Sequence, residues 1–440
     1  MLHVFPLISP TLNYQPGDLG RLPIAISESS RVGAIQIVVA MIGIARSDWD
    51  NFETSWDFQQ LPMLRKNEIK IMTGETTDGR FVIKGKLLSE SWQNWKVYCR
   101  ANIACMQELE EENNRLWIEA YGLQDELTPD VPLEEITLTC NPVYRYGKGR
   151  SDEEYEALFR RDTMREYISY AVGCMFGRYS LDVPGLILAN QGETNEDYFR
   201  IIAEKGGRKQ GSGSSHDSTS EAQGEESAPT APCPLPTESL FPPDKEGILP
   251  ILDDAWFSDG IVEQFNRFLR VTFGEENFQE NLRFLEESLD ERPGKRMPIR
   301  KYFVSEFYKH HVTLYKKRPI YWLFQSPKKS FQALIYMHRY NRDTVNLLLN
   351  QYLRDFQNKL RARRDNLQEI LASEDTSAAD KTKATKETAK IDKTLTELAD
   401  WERDVIYPLA AQRIEIDLDD GVKQIYPKFG DALAKIPGLS

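Results

Sequence analysis

The sequence has few thiols and few metal-binding side chains. Its 440 residues include five cysteines, none spaced as a CxxC pair, and five histidines, of which only His310 and His311 are adjacent. Structural zinc sites need Cys and His ligands at short spacings, so no metal site is predicted. An odd number of scattered cysteines is typical of a reducing compartment. The sequence therefore predicts free thiols in a cytoplasmic protein.

Export and membrane signals are also lacking. Residues 1–18 contain no basic segment and no small-residue cleavage site after an apolar core. The longest apolar run, residues 32–45, is interrupted by Gln36 and is too short to span a bilayer as a helix. We interpret this run as a buried helix or a pair of strands, and no membrane partner is expected.

The chain has no excess of positive charge overall, but its charge is distributed unevenly. The formal net charge is -13, whereas residues 300–364 contain 15 Lys or Arg against three acids, so this segment carries +12 and the rest of the chain -25. Aromatic residues interleave with these cations, a pattern expected of a surface that grips a phosphate backbone. The alternative is a solvated basic face that pairs with acidic surface elsewhere in the chain.

The candidate DNA-binding residues surround the apolar stretch PIYWLFQSP. They are Lys316, Lys317, Arg318, Lys328, Lys329, Arg339 and Arg342. Within the stretch, Trp322 and Phe324 are predicted to be core residues beneath the cations and not base-stacking residues. The sequence predicts that a basic helical surface binds duplex DNA through its phosphates, with steep salt dependence and little dependence on base sequence.

Hydrophobic spacing predicts an α+β fold that is mainly α-helical. Helical periods cover residues 87–121, 151–177 and 343–368, and the last of these continues through a polar turn into a returning helix, which gives a long helical hairpin. Two short apolar runs on either side of TDGR predict a β-hairpin. Residues 414–429 are interpreted as an extended, acidic segment with a turn at Asp420-Gly421.

Composition divides the chain into four segments. Residues 1–50 begin as a strand-and-turn piece, residues 51–203 form a helical recognition or spacer domain, and residues 248–440 form a basic helical C-terminal domain. Residues 204–247 are rich in Gly, Ser, Glu and Pro, a composition that cannot form a core. They are predicted to be a disordered linker.

The tetrapeptide Asn141-Pro142-Val143-Tyr144 differs by one residue from Asn-Pro-Pro-Tyr, the catalytic loop of enzymes that methylate the exocyclic amine of adenine. Such enzymes also need a Gly-rich turn after a buried strand to hold S-adenosylmethionine, and we find no such pattern in the sequence. Val143 replaces the proline that stiffens the loop. The sequence therefore predicts a structural turn here, and no catalytic or cofactor-binding residue in this chain.

Seven long stretches, in order, resemble a known family: DWDNFETSWDF, EENNRLWIEAYGLQDELTP, CNPVYRYG, REYISYAVGCMFGRYSLDVPGLI, FPPDKEGILPILDDAWFSDGIVEQF, KRPIYWLFQSPKKSFQALIYMHRYNRDT and DLDDGVKQIYPKF. They resemble the C-terminal part of BREX-system adenine-specific DNA methyltransferases of the PglX type. The resemblance covers nearly the whole chain outside residues 204–247. The stretch ISPTLNYQPGDLGRLPI looks like the end of the family's target-recognition segment, which would place residues 1–50 there.

The resemblance implies the DNA-recognition region of a site-specific adenine-N6 methyltransferase that acts in phage exclusion. The family's methyltransferase domain is expected N-terminal to this chain, so S-adenosylmethionine would serve the full-length enzyme and is not expected to bind here. Expected partners are duplex DNA, the methyltransferase part and other BREX proteins. The alternative is a truncated remnant, or a protein-interaction module of the same defence system, without enzymatic activity.

Overall fold

The computed structural model describes residues 28–65, 69–70, 80–207, 239–292 and 294–439. The chain divides into two compact units. The first unit comprises Met1–Trp49, Lys70–Phe81 and Lys96–Ser151, and the second comprises Asp50–Ile69, Val82–Trp95 and Asp152–Ser440. Helices dominate the described residues and the sheets are small, which confirms the mainly α-helical α+β class. The division into four segments stays a prediction, and most of the 204–247 linker lies outside the described residues.

Helix α1 (Glu28–Trp49) contains the longest apolar run. Of the two alternatives, a buried helix or a pair of strands, the helix is the correct one, but the expectation of burial was only half right. Ile37 and Ile44 are buried, whereas Val39 and Ile42 on the opposite face are 63% and 60% exposed. The helix extends beyond the apolar run, and of the described helices it alone is long and apolar enough to cross a membrane by length and composition, so the expectation that it is too short was wrong. One such helix is by itself weak evidence of a span.

Helix α2 (Leu88–Tyr121) matches the helix predicted at residues 87–121 to within one residue. It begins in the second unit and continues in the first. Before it, strands β1 (Ile69–Lys70) and β2 (Arg80–Phe81) form the two-stranded sheet expected of the predicted hairpin. The first three residues of the TDGR turn lie outside the described residues. The first unit also contains the short helix α3 (Pro142–Tyr146).

The second unit contains most of the helices. They are α4 (Asp152–Met175), α5 (Asn195–Gly207), α6 (Ile261–Phe273), α7 (Phe278–Leu289), α8 (Ile299–Tyr302), α9 (Tyr308–Leu314), α10 (Thr344–Leu347), α11 (Arg354–Ala372), α12 (Ala378–Trp401), α13 (Tyr407–Gln412) and α14 (Val422–Ile425). A π-helical turn, Leu348–Leu353, joins α10 to α11 without a break, so the helix predicted at 343–368 is confirmed. Ser377 caps α12 by accepting the Asp380 N–H at 3.1 Å, and α11 and α12 form the predicted hairpin.

A three-stranded antiparallel sheet lies at the centre of the second unit. Its strands are β3 (Ile248–Pro250), β4 (Tyr321–Gln325) and β5 (Gln332–Tyr336), with β5 in the middle. Trp322 and Phe324 project from one face of β4 and are fully buried. The Trp322 ring meets the Phe429 ring at a centroid distance of 5.4 Å, and Phe324 meets the same ring at 6.1 Å. The prediction that both residues belong to the core is confirmed.

Residues 414–429 are not an extended segment, and that prediction was wrong. They form the short helical turns Leu418–Asp420 and Tyr426–Ala432 on either side of α14. The Asp417 carboxylate caps the first turn by accepting the Asp419 N–H at 3.0 Å. Gly421, with φ at +76°, allows the chain to reverse between the turns. Capping and turn chemistry therefore fold this acidic segment into helical turns.

Candidate nucleic-acid interface

Five of the seven candidate DNA-binding residues lie in two loops at the ends of strand β4. The first basic loop consists of Lys316, Lys317 and Arg318, between α9 and β4. The second basic loop consists of Lys328 and Lys329, in the turn between β4 and β5. The expectation of a helical surface was therefore wrong for these residues. The prolines at 319 and 327 flank an aromatic strand, and a proline ring interrupts helical hydrogen bonding.

The two loops are separated by the length of the strand. Strand β4 has five residues, which span roughly 17 Å at about 3.3 Å per residue. The five cations are exposed, and their side chains make no ion pair with any residue that the structure describes. The cations thus form two separate groups on the surface of one rigid sheet.

The first basic loop has a fixed and uncommon backbone. Lys316 and Lys317 adopt positive φ angles of 50° and 62°, which residues other than glycine rarely do. The three loop amides donate to the carbonyls of Thr313, Val312 and Tyr315 at 2.8–3.0 Å. Positive φ values in consecutive lysines persist only where surrounding structure holds them.

A buried polar network anchors this loop at Tyr315. The Tyr315 hydroxyl donates to Glu53 Oε1 at 2.9 Å, and Arg178 donates to Glu53 Oε1 at 3.0 Å and to the Tyr315 hydroxyl at 2.5 Å. Ser169 donates to the other carboxylate oxygen at 2.7 Å. Burial, and next the Glu53 charge, raise the pKa of Tyr315 above its ordinary value, so the hydroxyl stays protonated and available as a donor. The network involves residues more than 100 positions apart, and no local pattern in the sequence signals it.

His311 continues this buried layer beneath the loop. Its Nε2 accepts the Tyr321 N–H at 3.1 Å, and its ring stacks on that of Tyr321 at a centroid distance of 4.7 Å. Burial lowers the pKa of His311 well below its usual value, with the Arg178 charge acting in the same direction. The imidazole is therefore neutral and serves as a fixed acceptor at the start of β4.

A buried carboxylate organises the second basic loop. Glu397 accepts the Lys328 N–H at 2.6 Å and the Ser330 hydroxyl. Lys329 adopts a φ angle of 62°, and its amide donates to Ser326 O at 2.9 Å. A cleft of about 440 Å³ beside Lys328 is also lined by Asp400. The second loop is thus rigid like the first, but its surroundings carry charges of both signs.

Arg339 and Arg342, the other two candidates, already have partners. Arg339 donates to the backbone carbonyls of Asp244 at 2.8 Å and Lys245 at 3.0 Å, and its burial lowers the pKa of the guanidinium. Arg342 lies 3.6 Å from Glu415, with both side chains largely exposed. Arg339 therefore holds the segment before β3 in place, and we leave it out of the proposed interface.

The basic residues of α11 are mostly neutralised within the helical hairpin or by nearby acids. The pairs join Arg354 with Glu402 at 2.8 Å, Lys359 with Asp355 at 2.8 Å, Arg363 with Glu387 at 2.8 Å and Arg364 with Asp392 at 3.6 Å. For these residues the alternative interpretation, a basic face pairing with acids of the same chain, is the correct one. Within the segment 300–364, most cations of α11 are therefore paired with acids, whereas the five cations of the two basic loops make no ion pair with a described residue.

Asn141 has a structural role in the first unit. Its side-chain amide donates to Leu133 O at 2.7 Å and to Ile136 O at 2.8 Å, and its oxygen caps α3 by accepting the Val143 N–H at 3.1 Å. Asn141 is buried, whereas the Tyr144 side chain is 48% exposed. All of the Asn141 polar atoms have partners within the turn, as expected for a structural turn.

We expect Asn141→Ala to destabilise the chain by about 1–3 kcal/mol, because two buried carbonyls lose their donors and α3 loses its cap. Asn141→Asp should retain the cap but place an acceptor oxygen against the two carbonyls, so its loss should be at least as large as that of Asn141→Ala. Tyr144→Ala is the matched control and should change the free energy of unfolding little. Urea unfolding followed by circular dichroism measures all three. An Asn141→Ala variant as stable as the parent would contradict this role.

Two known proteins are similar to this chain over nearly its whole length. The adenine-specific methyltransferase BrxX of Escherichia coli O9:H4 (strain HS) is 33% identical over 445 residues, which cover 99% of this chain and 32% of the relative. The adenine-specific methyltransferase PglX of Lacticaseibacillus casei (strain Zhang) is 30% identical over 421 residues, which cover 94% of this chain and 29% of the relative. No family model matches the chain.

The chain thus spans about a third of the length of the curated relatives it matches. The resemblance to PglX-type adenine-specific methyltransferases is confirmed by these similarities. The assignment to their C-terminal part, and the place of residues 1–50 at the end of a target-recognition segment, stay predictions.

Proposed function

We propose that this chain is the DNA-recognition part of a site-specific adenine-N6 DNA methyltransferase of a BREX phage-defence system. The similarity to BrxX and PglX supports this proposal. In it, the chain holds duplex DNA, and a methyltransferase part that corresponds to the remaining length of the relatives carries out methyl transfer with S-adenosylmethionine. Other proteins of the same system are further proposed partners.

The observation that carries the proposal is the pair of rigid basic loops. Their cations are exposed and lack ion-pair partners among the described residues, so binding a phosphate breaks no existing ion pair. Because the loop backbones are already fixed, little conformational entropy is lost when they bind. Phosphate contacts position a protein on the duplex without reading its sequence. The loops would therefore supply affinity and orientation, and base recognition would come from other residues.

The described residues do not fit an S-adenosylmethionine cradle. None of the three strands of the central sheet is followed directly by a glycine. Gly85 follows β2 and precedes α2, but its amide donates to Ser91 Oγ at 2.9 Å. The next two amides donate to the Glu90 carboxylate. The amides at this helix start are thus already occupied, and we derive no catalytic step from this chain.

We expect the isolated chain not to bind S-adenosylmethionine, since none of the three strands of the central sheet is followed directly by a glycine and the amides before α2 are already occupied. Isothermal titration of the intact chain with the cofactor should release no binding heat, while an active adenine methyltransferase measured alongside should give a saturable isotherm. Saturable binding at micromolar concentration would contradict this expectation and would require a cofactor site within the chain.

Duplex binding tests the proposal directly. Fluorescence anisotropy of a labelled duplex, measured at 50, 100 and 200 mM salt, should give an affinity that falls steeply with salt, because bound cations release counterions. Five phosphate contacts correspond to a log–log slope of about -4 to -5. Absence of binding at micromolar protein and 50 mM salt would sink the proposal. It would favour the alternative, in which the basic loops bind an acidic protein of the same defence system.

A further inference from the structure

Trp56 is the most exposed large apolar side chain in the described part of the chain. It is 92% exposed, whereas the next, Val39, is 63% exposed. Its indole makes no hydrogen bond or ring contact with any described residue. Surface tryptophans of this kind are enriched where a protein binds a partner, because the ring offers a large flat face together with one N–H donor.

The turn that carries Trp56 is rigid. The Ser55 N–H donates to Phe52 O at 2.9 Å, and the Asp57 N–H donates to Ser55 Oγ at 3.1 Å. Phe52 and Phe58 are buried on either side of the exposed residue, and the Phe58 ring meets the Tyr179 ring at 5.3 Å. The indole is therefore held away from the core by a fixed backbone, and its exposure does not result from a loose loop.

Trp56 lies on the same part of the second unit as the first basic loop. Glu53, three residues before Trp56, accepts the Tyr315 hydroxyl, and Tyr315 directly precedes Lys316. The path from Trp56 to Lys316 runs through three residues of chain, which reach at most about 11 Å, and then through the Glu53 and Tyr315 side chains joined by their hydrogen bond. One turn of duplex DNA is about 34 Å long. A duplex whose phosphates contact the first basic loop can therefore also contact Trp56.

We propose that Trp56 stacks on a base of DNA held by the first basic loop, acting as a wedge at a base step. This inference rests on the proposed function. An aromatic face stacks on any base, and wedge insertion unstacks a step at a cost that is smallest where a base is already unpaired. The exposed Asp57 beside it offers phosphates no attraction, so the contact proposed here is made by the indole face and not by a cation.

The experiment compares a fully paired duplex with the same duplex carrying a one-nucleotide bulge, by fluorescence anisotropy. The parent chain should bind the bulged duplex more tightly. Trp56→Ala should weaken binding to the bulged duplex about tenfold and abolish the preference for it, while Trp56→Phe should retain most of both. The salt slope should stay unchanged in both variants, because an indole releases no counterions. Tyr407→Ala removes another exposed aromatic and should have no effect.

The outcomes separate this inference from the proposed function. If the parent binds DNA with steep salt dependence and Trp56→Ala binds both duplexes as the parent does, the wedge is overturned and the proposed function stands. If the parent binds neither duplex, both are overturned. If Trp56→Ala keeps its DNA affinity but loses a protein partner, Trp56 is a protein contact and the wedge is again overturned. All variants should melt with the parent, because the side chain is exposed.

Discussion

Replacing Lys316, Lys317 and Arg318 by Ala should lower the affinity of the chain for duplex DNA on the order of 500-fold at 0.1 M salt. Each phosphate contact contributes about 0.9 to the log–log salt slope, which corresponds to roughly an eightfold change in affinity at that salt. Loss of three contacts should therefore also flatten the slope by about three units. The three side chains are exposed and make no ion pair with a described residue, so thermal stability should remain that of the parent.

A matched variant separates loop binding from net charge. Replacing Arg354, Arg363 and Arg364 by Gln removes the same charge, but these guanidiniums pair with acids of the chain. We expect the salt slope of this variant to stay within one unit of the parent. If both triple variants lose affinity equally, binding follows the overall field and the first basic loop has no special role.

The second basic loop should contribute less than the first to the affinity for duplex DNA. Lys328→Ala with Lys329→Ala removes two cations, but Asp400 lines the cleft beside Lys328 and weakens the local positive field. We expect the slope to fall by two units at most. A larger loss than that of the first loop would place the main phosphate contacts at the β4–β5 turn. DNA-binding titrations at two or more salt concentrations measure the slope for the variants of both loops.

Local patterns in the sequence predicted the elements that depend on neighbouring residues. The spacing of Leu88, Trp92 and Trp95 predicted α2, and the apolar stretch that contains Trp322 and Phe324 predicted core residues between the basic loops. Both signals come from residues close in the chain, where periodicity reports which face is buried. Asn141 was likewise recognised as a turn residue, because the Gly-rich element that catalysis requires is missing around it.

Long-range pairing explains what the sequence did not predict. Arg363 looks as available as Arg318 in the sequence, but a salt bridge to Glu387 on α12 occupies it. Arg339 is held by the carbonyl of Asp244, 95 residues away. The pairing of β3 with β5 joins strands more than 80 residues apart. Such contacts depend on the assembled fold, and charge counting along the chain could not distinguish paired from unpaired cations.

Glu53→Ala should destabilise the second unit by about 3–5 kcal/mol. The Glu53 and Arg178 side chains are only 8% and 12% exposed and lie 3.0 Å apart. Removing the carboxylate leaves the Arg178 charge buried without its partner, and removing one member of a buried pair carries a cost of this size. Ser169 and Tyr315 also lose the acceptor that Glu53 provides. Chemical denaturation monitored by tryptophan fluorescence measures the loss.

Two further variants identify the cause of that loss. Glu53→Leu combined with Arg178→Met replaces the pair by apolar groups and should recover much of the stability, because no charge is left unpaired. Glu287→Ala breaks the exposed pair with Arg283 and should cost less than about 1 kcal/mol. If Glu53→Ala unfolds like the parent, the buried pair contributes nothing measurable. If Glu53→Ala is destabilised and the double variant is no more stable than Glu53→Ala, the loss of stability comes from altered packing around Tyr315. Tyr315 anchors the first basic loop, so we expect a variant to lose part of its DNA affinity only if it disturbs that anchor.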